Sequence, residues 1–108
     1  MKKIYLAIPY SNVDKYQSFR LANLHAAQLM NEGHVVFSPI SHSHSMAIQN
    51  DLPGTWEFWQ EQDKAFIAWC DELHIVCMRG WEKSRGVNAE FNIANEMGKP
   101  VFYREVLG

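Results

Sequence analysis

Leu73–Arg104 reads LHIVCMRGWEKSRGVNAEFNIANEMGKPVFYR. Leu73–Met78 is an apolar run too short for a helix and reads as a buried strand. Gly80–Gly86 is a loop. Val87, Glu90, Ala94 and Met97 then fall at i, i+3, i+7 and i+10, the spacing of one helix face. Gly98 ends that helix, and Lys99-Pro100 turns into a last strand, Val101–Arg104. Strand, helix and strand, with strands apolar throughout, make a unit of a parallel sheet covered on both faces. One residue is out of place. Glu90 puts a carboxylate into the apolar stripe, and a carboxylate is costly to bury without partners. Either that edge of the stripe is wet, or a site uses the charge.

The same pattern extends towards the N-terminus. Ile4–Ile8 is a short apolar run before a Pro-Tyr-Ser turn, hence a strand. Asn12 or Asp14 can cap the next helix, which runs to about Glu32 with Phe19, Ala22, Ala26 and Leu29 on one face. Gly33 follows as the residue that stops it. His34–Ser38 is the second strand, closed by Pro39. Ser41–Gly54 reads as a long polar loop with one helical turn around Ser45–Gln49, and such loops often serve as lids. Gly54 or Thr55 starts another long helix, to about Asp71. The predicted fold is α/β: a three-layer, doubly wound, flavodoxin- or Rossmann-like parallel sheet of four to five strands. Its order is 2-1-3-4, a fifth strand extending it, in one domain spanning 1–108. Ligands of such sheets bind beyond the carboxyl ends of the strands, where Pro9–Asn12, Pro39–Gly54 and Arg79–Gly86 gather.

A second acid repeats the anomaly. Trp56, Trp59, Asp63, Phe66, Ile67 and Cys70 form the apolar stripe of the helix before Asp71, with Asp63 at its centre. The polar residues Glu57, Gln60, Glu61, Gln62 and Lys64 occupy the other face. Two inward acids in consecutive helices, both able to reach the ligand-binding edge, are candidates for divided acid, base and nucleophile roles. Ser84-Arg85-Gly86 leads into the Glu90 helix. Gly86 permits close backbone approach, the helix N-terminus favours an anion, and Ser84 is either a donor to ligand or a plain N-cap. IPYS after the first strand lacks glycines, so neither a P-loop nor a dinucleotide fingerprint is present.

The 108 residues are 47% hydrophobic and 20% charged, with a net charge of −2. That composition is ordinary for a soluble globular protein and argues against a surface for polyanions such as nucleic acid. The apolar start MKKIYLAI is broken by Pro9, Tyr10 and Ser11, and no run approaches the roughly 18 residues of a membrane span. A cytoplasmic location is expected. Cys70 and Cys77 form no CxxC pair and read as buried thiols.

IYLAIPYS, HVVFSPI, Asp63 eight residues before Asp71, the spacing of Ser84, Gly86 and Glu90, and GKPV together resemble one family. It is the nucleoside 2-deoxyribosyltransferase-like superfamily, which includes the 2′-deoxynucleoside 5′-monophosphate N-glycosidases. Within it, the chain is similar to small bacterial and phage proteins with YLA-PYS, FSPI-HSH and GWE-S-G-E motifs. The resemblance implies a glutamate nucleophile at Glu90 that forms a covalent glycosyl-enzyme, and an aspartate at Asp63 that assists the leaving base. It implies that Ser84 and Gly86 contact the sugar or its 5′ group, and that Pro9, Tyr10 and Ser11 line the pocket. It implies a small-molecule nucleoside or nucleotide substrate, no metal or organic cofactor, no nucleic acid polymer or membrane as partner, and a homodimer or higher homo-oligomer. The chain departs from the family in its glycine-free first loop and in the GWEK insertion between Asp71 and Glu90. Phosphate or nucleoside preference, and a cross-subunit contribution to the site, therefore stay open. So do two alternatives using the same pocket: a non-catalytic nucleotide-binding sensor and an NAD-cleaving glycohydrolase.

The remaining residues carry alternative readings. His42 and His44, with Asp51 nearby, could hold zinc, but further ligands are lacking; a loop that offers a histidine to substrate, or solvated histidines, are the other readings. Trp81 stacks on a base or packs over the sheet edge. Tyr10 orients Glu90 or the sugar. Arg20 meets a phosphate or makes a surface salt bridge. Trp56 and Trp59 are core, with one of them a roof for the pocket. His25 and His74 are structural or exposed.

Overall fold

The computed structural model describes all residues from 1 to 108. The elements are β1 (Lys3–Ala7), α1 (Lys15–Asn31), β2 (Val35–Phe37), α2 (Pro39–Asn50), α3 (Trp56–Trp69), β3 (Glu72–Val76), a 3₁₀ turn (Trp81–Lys83), α4 (Arg85–Glu96) and β4 (Val101–Arg104). The strands form one parallel sheet in the order β2-β1-β3-β4, as the sequence predicts. No helix is long and apolar enough to cross a membrane.

β1 lies inside the sheet, and Ile4 to Ala7 are fully buried. Because side chains alternate along a strand, β1 serves two different cores. Ile4, Leu6 and Ile8 pack with Leu21, Ala22, Ala26 and Leu29 of α1. Tyr5 and Ala7 point to the opposite layer, where Ile67 of α3 and Val87 and Ala94 of α4 close over them. Tyr5 is thereby committed to the face that also carries the two inward acids.

Asp14 caps α1: its side chain accepts from the backbone N–H of Tyr16 at 2.9 Å and of Gln17 at 3.3 Å. Gly33 follows the helix at φ 94°, in the left-handed region that glycine tolerates. The buried face of α1 is Ser18, Leu21, Ala22, His25, Ala26 and Leu29. Phe19 belongs at its margin, half-buried, because its ring stacks on His44 at 4.4 Å instead of entering the core.

The chief correction concerns Ser41–Gly54. Most of it is not a loop but the helix α2, whose twelve residues begin at Pro39 and end at Asn50. Local propensity is weak, since Ser and His compete with or crowd helical backbone. Two features override it. Pro39 sits at the first helical turn, where its fixed φ is pre-organised. Ile40, Ser43, His44 and Ala47 then form a stripe at i, i+3, i+4 and i+7 that is buried or half-buried. Tertiary packing, rather than propensity, stabilises most helices. A smaller correction concerns Met97: it is 43% exposed, so the buried stripe of α4 ends at Ala94.

Replacing Asp14 by Ala removes a cap that serves two backbone donors. Urea denaturation should show a loss of about 1 kcal/mol, with the slope of the transition unchanged.

Candidate functional site

The loop after β1, the helix α2, and the first turns of α3 and α4 meet beyond the carboxyl ends of the strands. They enclose a cavity of about 290 Å³. Ile8 lies at the base, and Asp63 and Glu90 both line it. Each acid arrives on its own helix, α3 or α4, and each is almost wholly buried, at 7% and 5% exposure.

Tyr5 completes the group. Its hydroxyl donates a hydrogen bond to Oε2 of Glu90. Asp63 lies near enough to feel the same hydroxyl. Burial pushes Glu90 well above the usual carboxylate range, and the charge of Asp63 pushes the same way, against the opposing effect of the Tyr5 bond. Burial likewise raises Asp63 from 3.8 to about 6, again opposed by Tyr5. The Tyr5 phenol is held well above 10 by burial, then by the charges of Glu90 and Asp63, so it remains a donor at neutral pH. Burial raises both carboxyls, and the charge of Asp63 adds to the rise at Glu90, so their titrations are linked. The cluster is two carboxyls bordering a cavity, with the Tyr5 phenol bonded to one of them, Glu90.

The sequence does not mark Tyr5. It stands in the middle of an apolar strand, where an aromatic reads as core. One signal was available: Tyr5 is the only residue between Ile4 and Ile8 with a polar tip, and it alternates onto the layer of α3 and α4.

Of the candidates named from sequence, Tyr10, Ser11, His44, Ser84 and Gly86 join Asp63 and Glu90 around the cavity. Ser84 is the N-cap of its helix. Its Oγ caps α4 by accepting from the N–H of Val87 at 3.2 Å, which leaves the hydroxyl hydrogen for another acceptor. An added Cβ at Gly86 would meet nothing within 4 Å, so that backbone stands open to the cavity. Tyr10 does not reach Glu90; its hydroxyl is 2.7 Å from Nδ1 of His44.

Pro9, His42 and Trp81 fall outside the lining. Pro9 is buried, with its carbonyl accepting from Ser18 Oγ at 2.6 Å. His42 and His44 lie two residues apart on a helix and therefore face different ways, which a loop reading could not show. His42 is exposed, with Nδ1 2.9 Å from Ser43 Oγ, whereas His44 is buried against Phe19 and Tyr10. The HxH spacing thus gives no convergent pair of metal ligands. Trp81 packs on Tyr103, ring centroids 5.5 Å apart, over the sheet edge. Trp56 and Trp59 are both half-buried and both line the cavity, so the roof has two indoles.

Arg20 lies exposed on α1 and donates to Gln17 at 2.7 Å. His25 is structural: it is fully buried, accepts from Nε of Arg104 at 3.2 Å, and is lowered to about 4 by burial and by that guanidinium. His74 is buried and pairs with Glu72 at 2.8 Å. At the cavity mouth Arg85 forms an ion pair with Glu57, and both residues belong to the lining.

Residues 2–106 match the family model described as "Domain of unknown function (DUF1937)". This chain belongs to the DUF1937 family. No curated protein matches it. Among solved structures, the DUF1937 chain is similar to the 2-deoxyribosyltransferase of the psychrotolerant bacterium Bacillus psychrosaccharolyticus. The identity is 26% over 95% of this chain and 72% of that one, with a TM-score of 0.66. That enzyme is described as a biocatalyst for the synthesis of antiviral and antitumoral nucleosides. The likeness supports membership of the nucleoside 2-deoxyribosyltransferase-like superfamily and the Rossmann-like fold read from the sequence.

The buried acids make a stability prediction. A carboxyl raised in the folded state binds its proton more tightly there than in the unfolded chain. Its stabilising effect is complete below the unfolded value and is lost as pH rises through the folded one. Wild-type stability should therefore fall between about pH 4 and pH 6 through Asp63, by an amount on the order of 1–2 kcal/mol. Asp63→Asn should flatten that slope, and Glu90→Gln should raise the midpoint of thermal unfolding at pH 7. Thermal melts at a series of pH values read both effects.

Proposed function

We propose that the protein cleaves the N-glycosidic bond between a base and a ribose or deoxyribose, as a hydrolase or a transferase on nucleosides or nucleotides. The observation that carries this reading is the Tyr5–Glu90–Asp63 cluster, sheltered at the rim of a sheet whose solved relative is a 2-deoxyribosyltransferase. The chain acts as one domain and needs no metal or organic cofactor for this chemistry.

Glu90 passes its proton to Asp63 and, as carboxylate, attacks the anomeric carbon. The bond to the base breaks, its electron pair leaves with the base nitrogen, and Asp63 supplies the proton that neutralises it. The sugar is then held as an ester of Glu90. Water, or a second base, displaces the glutamate, and Asp63 takes the proton that the incoming nucleophile loses. Carboxylates in this arrangement serve retaining glycoside chemistry through an oxocarbenium-like transition state.

Tyr5 is the positioning residue. Its O–H holds Oε2 of Glu90 and leaves the other oxygen without that bond. Burial alone favours a proton on Glu90, so the phenol is the local group that favours the reactive carboxylate. Ser84 and the open backbone at Gly86 cradle the sugar or its 5′ group, and Tyr10, Ser11 and His44 also line the cavity. Trp56 and Trp59 offer planar apolar surface to the base, as aromatic rings do for other π-systems.

A panel of nucleosides, deoxynucleotides and NAD, incubated with the protein and resolved by chromatography, should show free base from at least one member. Glu90→Ala should abolish release, and Asp63→Asn should slow it by about 10²–10⁴-fold, the usual weight of a general acid. Full turnover by Glu90→Ala would overturn the assignment.

A further inference from the structure

We propose that His44 is a specificity-determining residue: its Nε2–H, fixed as a donor by Tyr10, bonds a neutral acceptor atom on the base or the sugar of the substrate. The inference rests on the glycosyl reading above and assigns one contact within the same site.

His44 is 6% exposed, yet it lines the cavity. Its ring is held from several sides. Phe19 stacks on it, with centroids 4.4 Å apart and planes 25° from parallel. The Tyr10 ring meets it edge-on at 5.7 Å, and the Tyr10 hydroxyl lies 2.7 Å from Nδ1. Nε2 is left over. It has no hydrogen-bond partner in the protein, but it is not sealed in: the fully enclosed side-chain polar atoms without a partner are Gln62 Nε2 and His74 Nδ1. The contrast is His25, a histidine kept for structure. Arg104 Nε meets one of its nitrogens and the N–H of Leu107 the other, each at 3.2 Å. His44 commits one nitrogen to Tyr10 and keeps one for the cavity. A polar atom left unpaired in a largely dry wall costs free energy, which a ligand that pairs it recovers.

Tyr10 decides which kind of partner Nε2 takes. Burial pushes its phenol above the ordinary 10, so the hydroxyl keeps its hydrogen at neutral pH. That hydroxyl has no other partner. A phenol is the better donor of the two groups and an imidazole nitrogen the better acceptor, so Tyr10 donates to Nδ1. In a neutral imidazole whose Nδ1 accepts, the ring hydrogen sits on Nε2. Such a donor pairs with a carbonyl oxygen, an aromatic ring nitrogen or a hydroxyl oxygen, and a nucleoside offers these on both its base and its sugar.

NMR of the imidazole nitrogens should show His44 with its hydrogen on Nε2 in wild type, and a mixture of tautomers in Tyr10→Phe. A wild-type hydrogen on Nδ1 overturns the inference. Calorimetry then measures the common 2′-deoxynucleosides and their 5′-monophosphates on Glu90→Ala, where turnover does not interfere. The His44 signal should move when the tightest binder is added, a readout that needs no change at His44; a signal that stays in place overturns the inference. Adding His44→Asn, which keeps a group for Tyr10 but none for the cavity, should weaken that binder by about tenfold, the scale of one hydrogen bond. His44→Gln, whose amide extends towards the place of Nε2, should recover part of the loss. Analogues that lack one acceptor of the base, or the 3′-hydroxyl of the sugar, identify the partner: the analogue without it should lose nothing further on His44→Asn. Additive losses for every analogue, or no binding at all, overturn the inference. Equal binding with and without His44→Asn overturns it too, and base release by wild type then leaves the glycosyl reading standing. A tenfold loss of binding with no base release from wild type overturns the glycosyl reading and keeps the His44 contact.

Discussion

The hydrogen bond from Tyr5 to Glu90 is the constraint on which the site depends. It joins the sheet to a carboxyl that burial and the charge of Asp63 push towards its protonated form, and it opposes that push. Tyr5 is fully buried in β1, a strand paired on both sides, so its hydroxyl has little freedom. Glu90 sits on α4 between Val87 and Ala94, which pack on the same layer. The donor is therefore aimed by the sheet and the acceptor by the helix. Neither can move without disturbing the core around it, since packed interiors yield little.

This placement explains an apparent waste of stability. Two carboxyls in the dry layer between sheet and helices cost folding free energy, and apolar residues there would pack more favourably. The fold keeps them where they border a cavity. Local rules of foldability are commonly broken at functional sites, with compensation elsewhere. Here the compensation is visible: β1 buries Ile4, Leu6 and Ala7 completely, and both layers hold continuous apolar clusters.

The two ends of the cavity have different electrostatics. At one end Asp63 and Glu90 are buried, with the Tyr5 phenol bonded to Glu90. The mouth is solvated and carries a neutralised ion pair, of a kind that contributes little to stability. The acids and the ion pair lie along the same two helices, about one turn and a half apart. The helix α2 supplies His44, held by Tyr10 and Phe19, where a loop serving as a lid was expected.

The sequence by itself determined the strands, their parallel order, three of the four long helices and the inward direction of Asp63 and Glu90. Each of these follows from short-range periodicity: apolar runs, helical stripes, a cap at Asp14 and a glycine stop at Gly33. What needed the tertiary structure is everything that depends on a partner distant in the chain. The helix at Pro39–Asn50 has weak local preference and is held by packing on α1. The divergence of His42 and His44 follows from that helix, and so does the failure of the HxH pattern to converge. Pro9 and Trp81 sit beside the right loops but point into structure, a matter of orientation that spacing does not carry. Tyr5 and Glu90 are 85 residues apart, and only the pairing of β1 with β3 and the crossover through α4 bring phenol and carboxylate together.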